Sequence, residues 1–126
     1  MSARSPVLAV AQSTSKRSDV IENITRHTRF VEAAARAGAT VYAAEVLITP
    51  TGIEADSAQL RGYARAHSMV VLMSNYAAPT GRFISAGKSV VWKESGVTVI
   101  ETPREGEALL LAYRDGDALH GKLIPL

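Results

Sequence analysis

The sequence predicts an α/β domain in which a mixed sheet carries two helices. Short runs at residues 7–11, 41–48 and 69–73 are apolar at almost every position, and the segments between them repeat their apolar residues with helical period. The last third instead strings strand-like runs together with only turn residues between them. Strands alternating with helices, then strands alone, describe a parallel sheet extended by antiparallel additions.

Residues 7–11 are apolar throughout, as in a strand buried on both faces. Arg4 before them gives a faint likeness to a secretory leader, but the run is shorter than the ~7–15 apolar residues a leader needs, so it reads as the first strand. Asp19 and Glu22 have capping-box spacing, and Ile21, Ile24, Thr28, Val31 and Ala35 then mark one helical face that Gly38 ends. The second strand, residues 41–48, is apolar except for Glu45, and Thr49-Pro50-Thr51-Gly52 breaks it. Asp56 with Gln59 repeats the capping spacing, and Leu60, Tyr63, Ala64 and His67 carry a second helix to about residue 68. Residues 69–73 form the third strand.

Ala78-Pro79-Thr80-Gly81 is a loop. Strand-like runs follow at 89–93, 97–101 and 108–113, joined by Glu94-Ser95-Gly96 and by Pro103-Arg104-Glu105-Gly106 as hairpin connections. Residues 119–126 read as an apolar tail. Right-handed crossovers leave two arrangements of the helices. If strand order advances in one direction, both helices cover the same face; if it reverses after the second strand, one lies on each face.

The 126 residues, 47% hydrophobic and 21% charged, suit one compact domain spanning residues 1–126. With no cysteine there is no disulfide, no thiolate metal site and no thiol nucleophile, which fits a cytoplasmic protein. The 14 Lys/Arg are scattered among 12 Asp/Glu, without the clustered basic face a nucleic acid needs. No apolar run approaches the ~20 residues that span a bilayer, so no membrane partner is expected.

Gly87-Lys88-Ser89 resembles the end of a phosphate-binding loop, but the glycine required five residues earlier is Arg82, and the residues that follow read as a strand, not a helix. Glu45 is the most informative acid, because a carboxylate within an apolar strand must be paired, hydrogen-bonded or protonated. Its first reading is a strand-end residue that reaches solvent or an arginine, and its second a general base. His27, His67 and His120 are too far apart in sequence for a close metal-ligand pair, and no metal or cofactor is expected. Lys88 and Lys93 read as solvated strand residues, and Trp92 as packing or interface.

Two stretches resemble the carbon-nitrogen hydrolase superfamily of nitrilases and amidases. The opening, Val7-Leu8-Ala9-Val10-Ala11-Gln12 with Asn23 and the run Ala33-Ala34-Ala35-Arg36-Ala37-Gly38-Ala39, is similar to the family's first strand and helix. Tyr63-Ala64-Arg65-Ala66-His67, Val71-Leu72-Met73-Ser74-Asn75, Ala78-Pro79-Thr80-Gly81 and Ser85-Ala86-Gly87-Lys88-Ser89-Val90-Val91-Trp92 resemble its closing third.

The resemblance implies a chain of about half the family's usual length that lacks its middle section, and with it the motifs of the attacking cysteine and the charge-stabilising lysine. Glu45 lies near the family's glutamate, but its spacing from Gly38 is one residue short and Ala44 stands where a proline is usual. No catalytic role passes to Glu45. Asn75 and Lys88, inside the matched stretches, are the candidate binding residues. The implied architecture is one half of a four-layer αββα sandwich: a mixed sheet with two helices on one face and the other face bare.

Such a half leaves more apolar surface exposed than a soluble monomer normally tolerates, so a homodimer through the bare sheet face is expected to rebuild the sandwich. A full-length relative is the other partner to expect. The leading functional expectation is a pseudoenzyme or binding and assembly module on a nitrilase-like scaffold. The alternative is a hydrolase working by water attack, with Glu45 as base and Lys88 or backbone donors holding the oxyanion.

Overall fold

The computed structural model describes residues 6–7, 20–46, 50–75, 79–80, 83–84 and 86–126. Their order is α1 (Val20–Arg36), β1 (Val41–Val46), α2 (Ile53–His67), β2 (Val70–Asn75), β3 (Pro79–Thr80), β4 (Phe83–Ile84), β5 (Val90–Trp92), β6 (Thr98–Glu101), β7 (Ala108–Asp115) and β8 (Ala118–Pro125). The central sheet runs β1-β2-β5-β6, with β1 and β2 parallel and the later pairs antiparallel.

Residues 8–11 of the expected first strand, and Asp19, lie outside the described residues. Val7, next to that run, is tied to the start of β1. Thr40 N–H donates to the Val7 carbonyl at 2.9 Å, Val7 N–H donates to Thr40 Oγ1 at 2.9 Å, and the Thr40 carbonyl accepts from Val70 N–H at 3.0 Å. Strand order in the central sheet advances in one direction, and both helices lie on one face, since they pack on the same sheet residues. Val31 of α1 and Leu60, Tyr63 and Ala64 of α2 share a core with Tyr42, Ala44, Val71, Met73, Val90 and Trp92. Thr28 and Tyr63 hydroxyls join the two helices at 2.8 Å.

Helix α1 closes as the sequence predicts. Gly38 adopts φ +88°, its N–H donating to the Ala35 carbonyl while Ala39 N–H reaches Ala34, a Schellman closure that needs the left-handed glycine. Helix α2 begins earlier than the capping spacing suggests. Gly52 is its N-cap and Asp56 N–H donates back to the Gly52 carbonyl, so Asp56 lies in the first turn. The earlier start brings Ile53, 4% exposed, onto the face that buries Leu60 and Ala64. Glu54 and Asp56 then face the positive end of the helix dipole.

The hairpin joining β5 and β6 forms where expected, with Gly96 at φ +81° packed on the Arg65 side chain. The run at 108–113 departs from expectation. It becomes β7 and pairs with β8, the segment read as a tail, through the two-residue connection Gly116-Asp117, while neither strand hydrogen-bonds to the central sheet. This hairpin leans over the second face of the sheet. A Cβ on Gly121 would lie 2.6 Å from Ile100 Cγ2, and Arg114 pairs with Glu94. The face opposite the helices is thus covered near β6, leaving Ala43 exposed and Leu72 half-buried farther along.

The rings of Tyr42 and Tyr63 meet edge-on, centroids 6.4 Å apart. Burial, and secondarily Tyr63, pushes the Tyr42 phenol from its ordinary 10.0 up to about 12. Between these values the unfolded chain has released a proton that the native chain keeps, so this contribution is complete below pH 10 and is lost as pH rises through about 12. The unfolding free energy from urea titrations across that window is expected to fall by on the order of 2 kcal/mol. Tyr42→Phe should flatten the slope; an unchanged slope would acquit Tyr42.

Candidate functional site

The carboxyl ends of the two parallel strands carry Val46 and Asn75 in register, the end of an α/β sheet where ligands commonly bind. Asn75 is 7% exposed and its polar groups are engaged. Its Nδ2 donates to the Gly87 carbonyl at 2.8 Å, its backbone N–H donates to Ser89 Oγ at 2.9 Å, and that hydroxyl returns a bond to the Asn75 carbonyl at 3.3 Å. On the other side, Ser89 N–H donates to Thr102 Oγ1 at 2.7 Å and Thr102 N–H to the Ser89 carbonyl at 2.8 Å. Residues 87–89 are therefore clamped between the end of β2 and the residues after β6.

The clamped turn is tight. Gly87 and Lys88 both have positive φ, +61° and +54°, and Lys88 N–H donates to the Pro103 carbonyl at 3.3 Å. A non-glycine residue in this region is uncommon and persists where its surroundings over-determine it. Lys88 lines a surface cavity of about 330 Å³ between α2 and the β5–β6 hairpin. Trp92 and Ile53 supply its apolar wall, while Glu54, Ser57 and Arg61 enter from α2 and Glu101 from β6. The structure thus brings Lys88 to a cavity and sets Asn75 behind it, holding the turn through Gly87. Val90, the first residue after this segment, opens a strand rather than a helix, as the failed phosphate-loop spacing predicts.

Glu45 pairs in register with Ser74 within β1; its side chain, and that of His27, lie outside the described residues. His67 is half-buried at the end of α2, and His120 stacks on Tyr113 with centroids 5.6 Å apart. Among the described residues no group of three His, Asp or Glu could hold a metal ion, and no helix is long and apolar enough to cross a membrane.

Sequence reasoning missed Glu54, Ser57, Arg61 and Glu101. A signal existed for the first three: positions 54, 57 and 61 follow one another at three- and four-residue spacing and so share one helical face. Two cations and two carboxylates then line one cavity. Among the described residues no ion pair joins Arg61 or Lys88 to Glu54 or Glu101. The arrangement can hold a small molecule bearing both charges against an indole. Its two hydroxyls, on Ser57 and Thr98, have no histidine beside them among the described lining residues.

No family profile matches the chain, and no curated protein matches it in sequence. Solved structures do. The amidase NitN from Nesterenkonia sp. AN1 matches with a TM-score of 0.57 and 23% identity, over 61% of this chain and 30% of that one. Saccharomyces cerevisiae Nit3, a member of branch 10 of the nitrilase superfamily, matches with a TM-score of 0.59 and 22% identity, over 68% of this chain and 32% of that one. A variant of the Nesterenkonia amidase, with the acetamide moiety of fluoroacetamide covalently added at its active-site cysteine, matches over 77% of this chain and 33% of that one, with a TM-score of 0.58 and 21% identity. The chain has the nitrilase-superfamily fold, and the matched region spans about a third of the length of each of these structures.

Proposed function

We propose that this chain is a cysteine-free binding and assembly module on a nitrilase-like scaffold, and that its ligand is a small zwitterion of the α-amino-acid class. The observation that carries this reading is Lys88, held at the cavity rim in a chain without any thiol. A ligand carboxylate meets Lys88 and Arg61, an ammonium meets Glu54 or Glu101, and an apolar side chain rests on Trp92. The near balance of charge favours a zwitterion over a phosphate, because the two carboxylates repel a purely anionic group. Removal of the thiol route eliminates the acyl-enzyme chemistry that the cysteine of a thiol amidase performs.

Calorimetric titration with α-amino acids is expected to give saturable binding that Lys88→Ala and Arg61→Ala each weaken about tenfold, or ~1.4 kcal/mol. Ammonia release from acetamide or acetonitrile is expected to stay at the buffer rate. Ammonia release that vanishes in a folded Glu45→Gln chain would replace this reading with the water-attack hydrolase. No binding by any amino acid would discard the ligand class.

A further inference from the structure

The outer face of the β7–β8 hairpin carries an exposed apolar row along β7, with Lys122 opposite Leu111 and His120 stacked on Tyr113. Leu109, Leu111 and Tyr113 alternate along β7 and are 48%, 40% and 53% exposed, with Ile124 directly opposite Leu109. The inner parity, including Leu110, Gly121 and Leu123, faces the molecule's own sheet and is the more buried. A two-stranded hairpin is at best marginal on its own in water, so a long one with apolar residues on both faces needs cover on both.

Beside this ridge lies a groove. An apolar hollow of about 450 Å³ runs where the hairpin leaves the sheet, between Leu109 and Leu110 on one side and Ala43, Leu72 and Val91 on the other. Ridge and groove adjoin on one molecule, which is the condition for a self-complementary two-fold contact.

We propose that a second copy of this chain covers the outer face of β7–β8, the Leu109–Leu111–Tyr113 ridge of each copy entering the Ala43–Leu72 groove of the other around a two-fold axis. This sharpens the assembly half of the function proposed above: the contact is made by the hairpin together with the strip of sheet it leaves open, not by a wholly bare sheet. It is independent of the ligand half, since the Lys88 cavity lies between α2 and the β5–β6 hairpin.

Sedimentation velocity on the full chain at low micromolar concentration is expected to show a dimer. Leu111→Glu should yield a monomer with unchanged far-ultraviolet dichroism, whereas Ala66→Glu, exposed on α2 on the opposite face of the sheet, should leave the dimer intact. Because the chain has no cysteine, Leu111→Cys supplies a single labelling site that reports on the contact even if the charged variant does not fold. A bifunctional maleimide should cross-link Leu111→Cys chains into dimers and leave Ala66→Cys chains uncrosslinked. A monomeric wild-type chain, a Leu111→Glu dimer, or equal cross-linking from position 66 overturns the proposal. Amino-acid binding by a monomeric chain would do so without touching the ligand reading, and a dimer that binds no amino acid would do the reverse.

Discussion

Trp92→Ala is expected to cost about 3–5 kcal/mol, a large share of the ~5–15 kcal/mol that holds a domain together. The indole is 3% exposed, aligned with Val71 across the antiparallel β2–β5 pair, and packed in the core beneath α2. Truncation removes apolar surface from the core and opens the cavity wall at the same time. Denaturant unfolding checks the size of the loss, and Trp92→Phe, which keeps most of the volume, should lose much less. This is the chain's single tryptophan, so its emission reads the site directly. Native emission should be that of a buried indole and should change when ligand enters the cavity. A loss below about 1 kcal/mol in Trp92→Ala would show that the wall is not packed as described.

Gly87→Ala is the second large effect. An added Cβ would lie 2.2 Å from the Arg104 carbonyl oxygen, and the residue adopts φ +61°. The obstacle is backbone and cannot swing aside, so strain and overpacking together should cost on the order of 3 kcal/mol. The damage should be functional as well as structural, because the turn that must move carries Lys88. Gly62→Ala supplies the opposite sign. It sits inside α2 with nothing within 4 Å of the added carbon, and alanine there should stabilise by about 0.5–1 kcal/mol. Thermal melts of the two variants shifting in the same direction would contradict this account.

Much of the architecture was legible because each signal was local. Glycine at position 38 closes α1, the described part of the apolar run at 41–48 becomes β1, the run at 69–73 enters β2, and Glu94-Ser95-Gly96 turns β5 into β6. The start of α2 was misread because Asp56 and Gln59 imitate a capping pair, while burial of Ile53 rewards an earlier start. Residues 119–126 looked like a tail, although Gly116-Asp117 between two apolar runs is itself a two-residue hairpin signal. Asn75 and Lys88 were nominated by resemblance. What they do differs: the asparagine holds Gly87 in place, and the lysine reaches the cavity.

The order of residues along this chain by itself determined the alternation of strands and helices, the C-terminal stop of the first helix, the β5–β6 turn, and the absence of a thiol, since each depends on neighbours within a few positions. Only the tertiary structure decided that the last two strands pair with each other and lean on the sheet, and that Arg61, Lys88 and Glu101 share a cavity. Alternating side chains fit any partner strand equally well, and charges forty residues apart in sequence meet only after the chain has chosen its pairings.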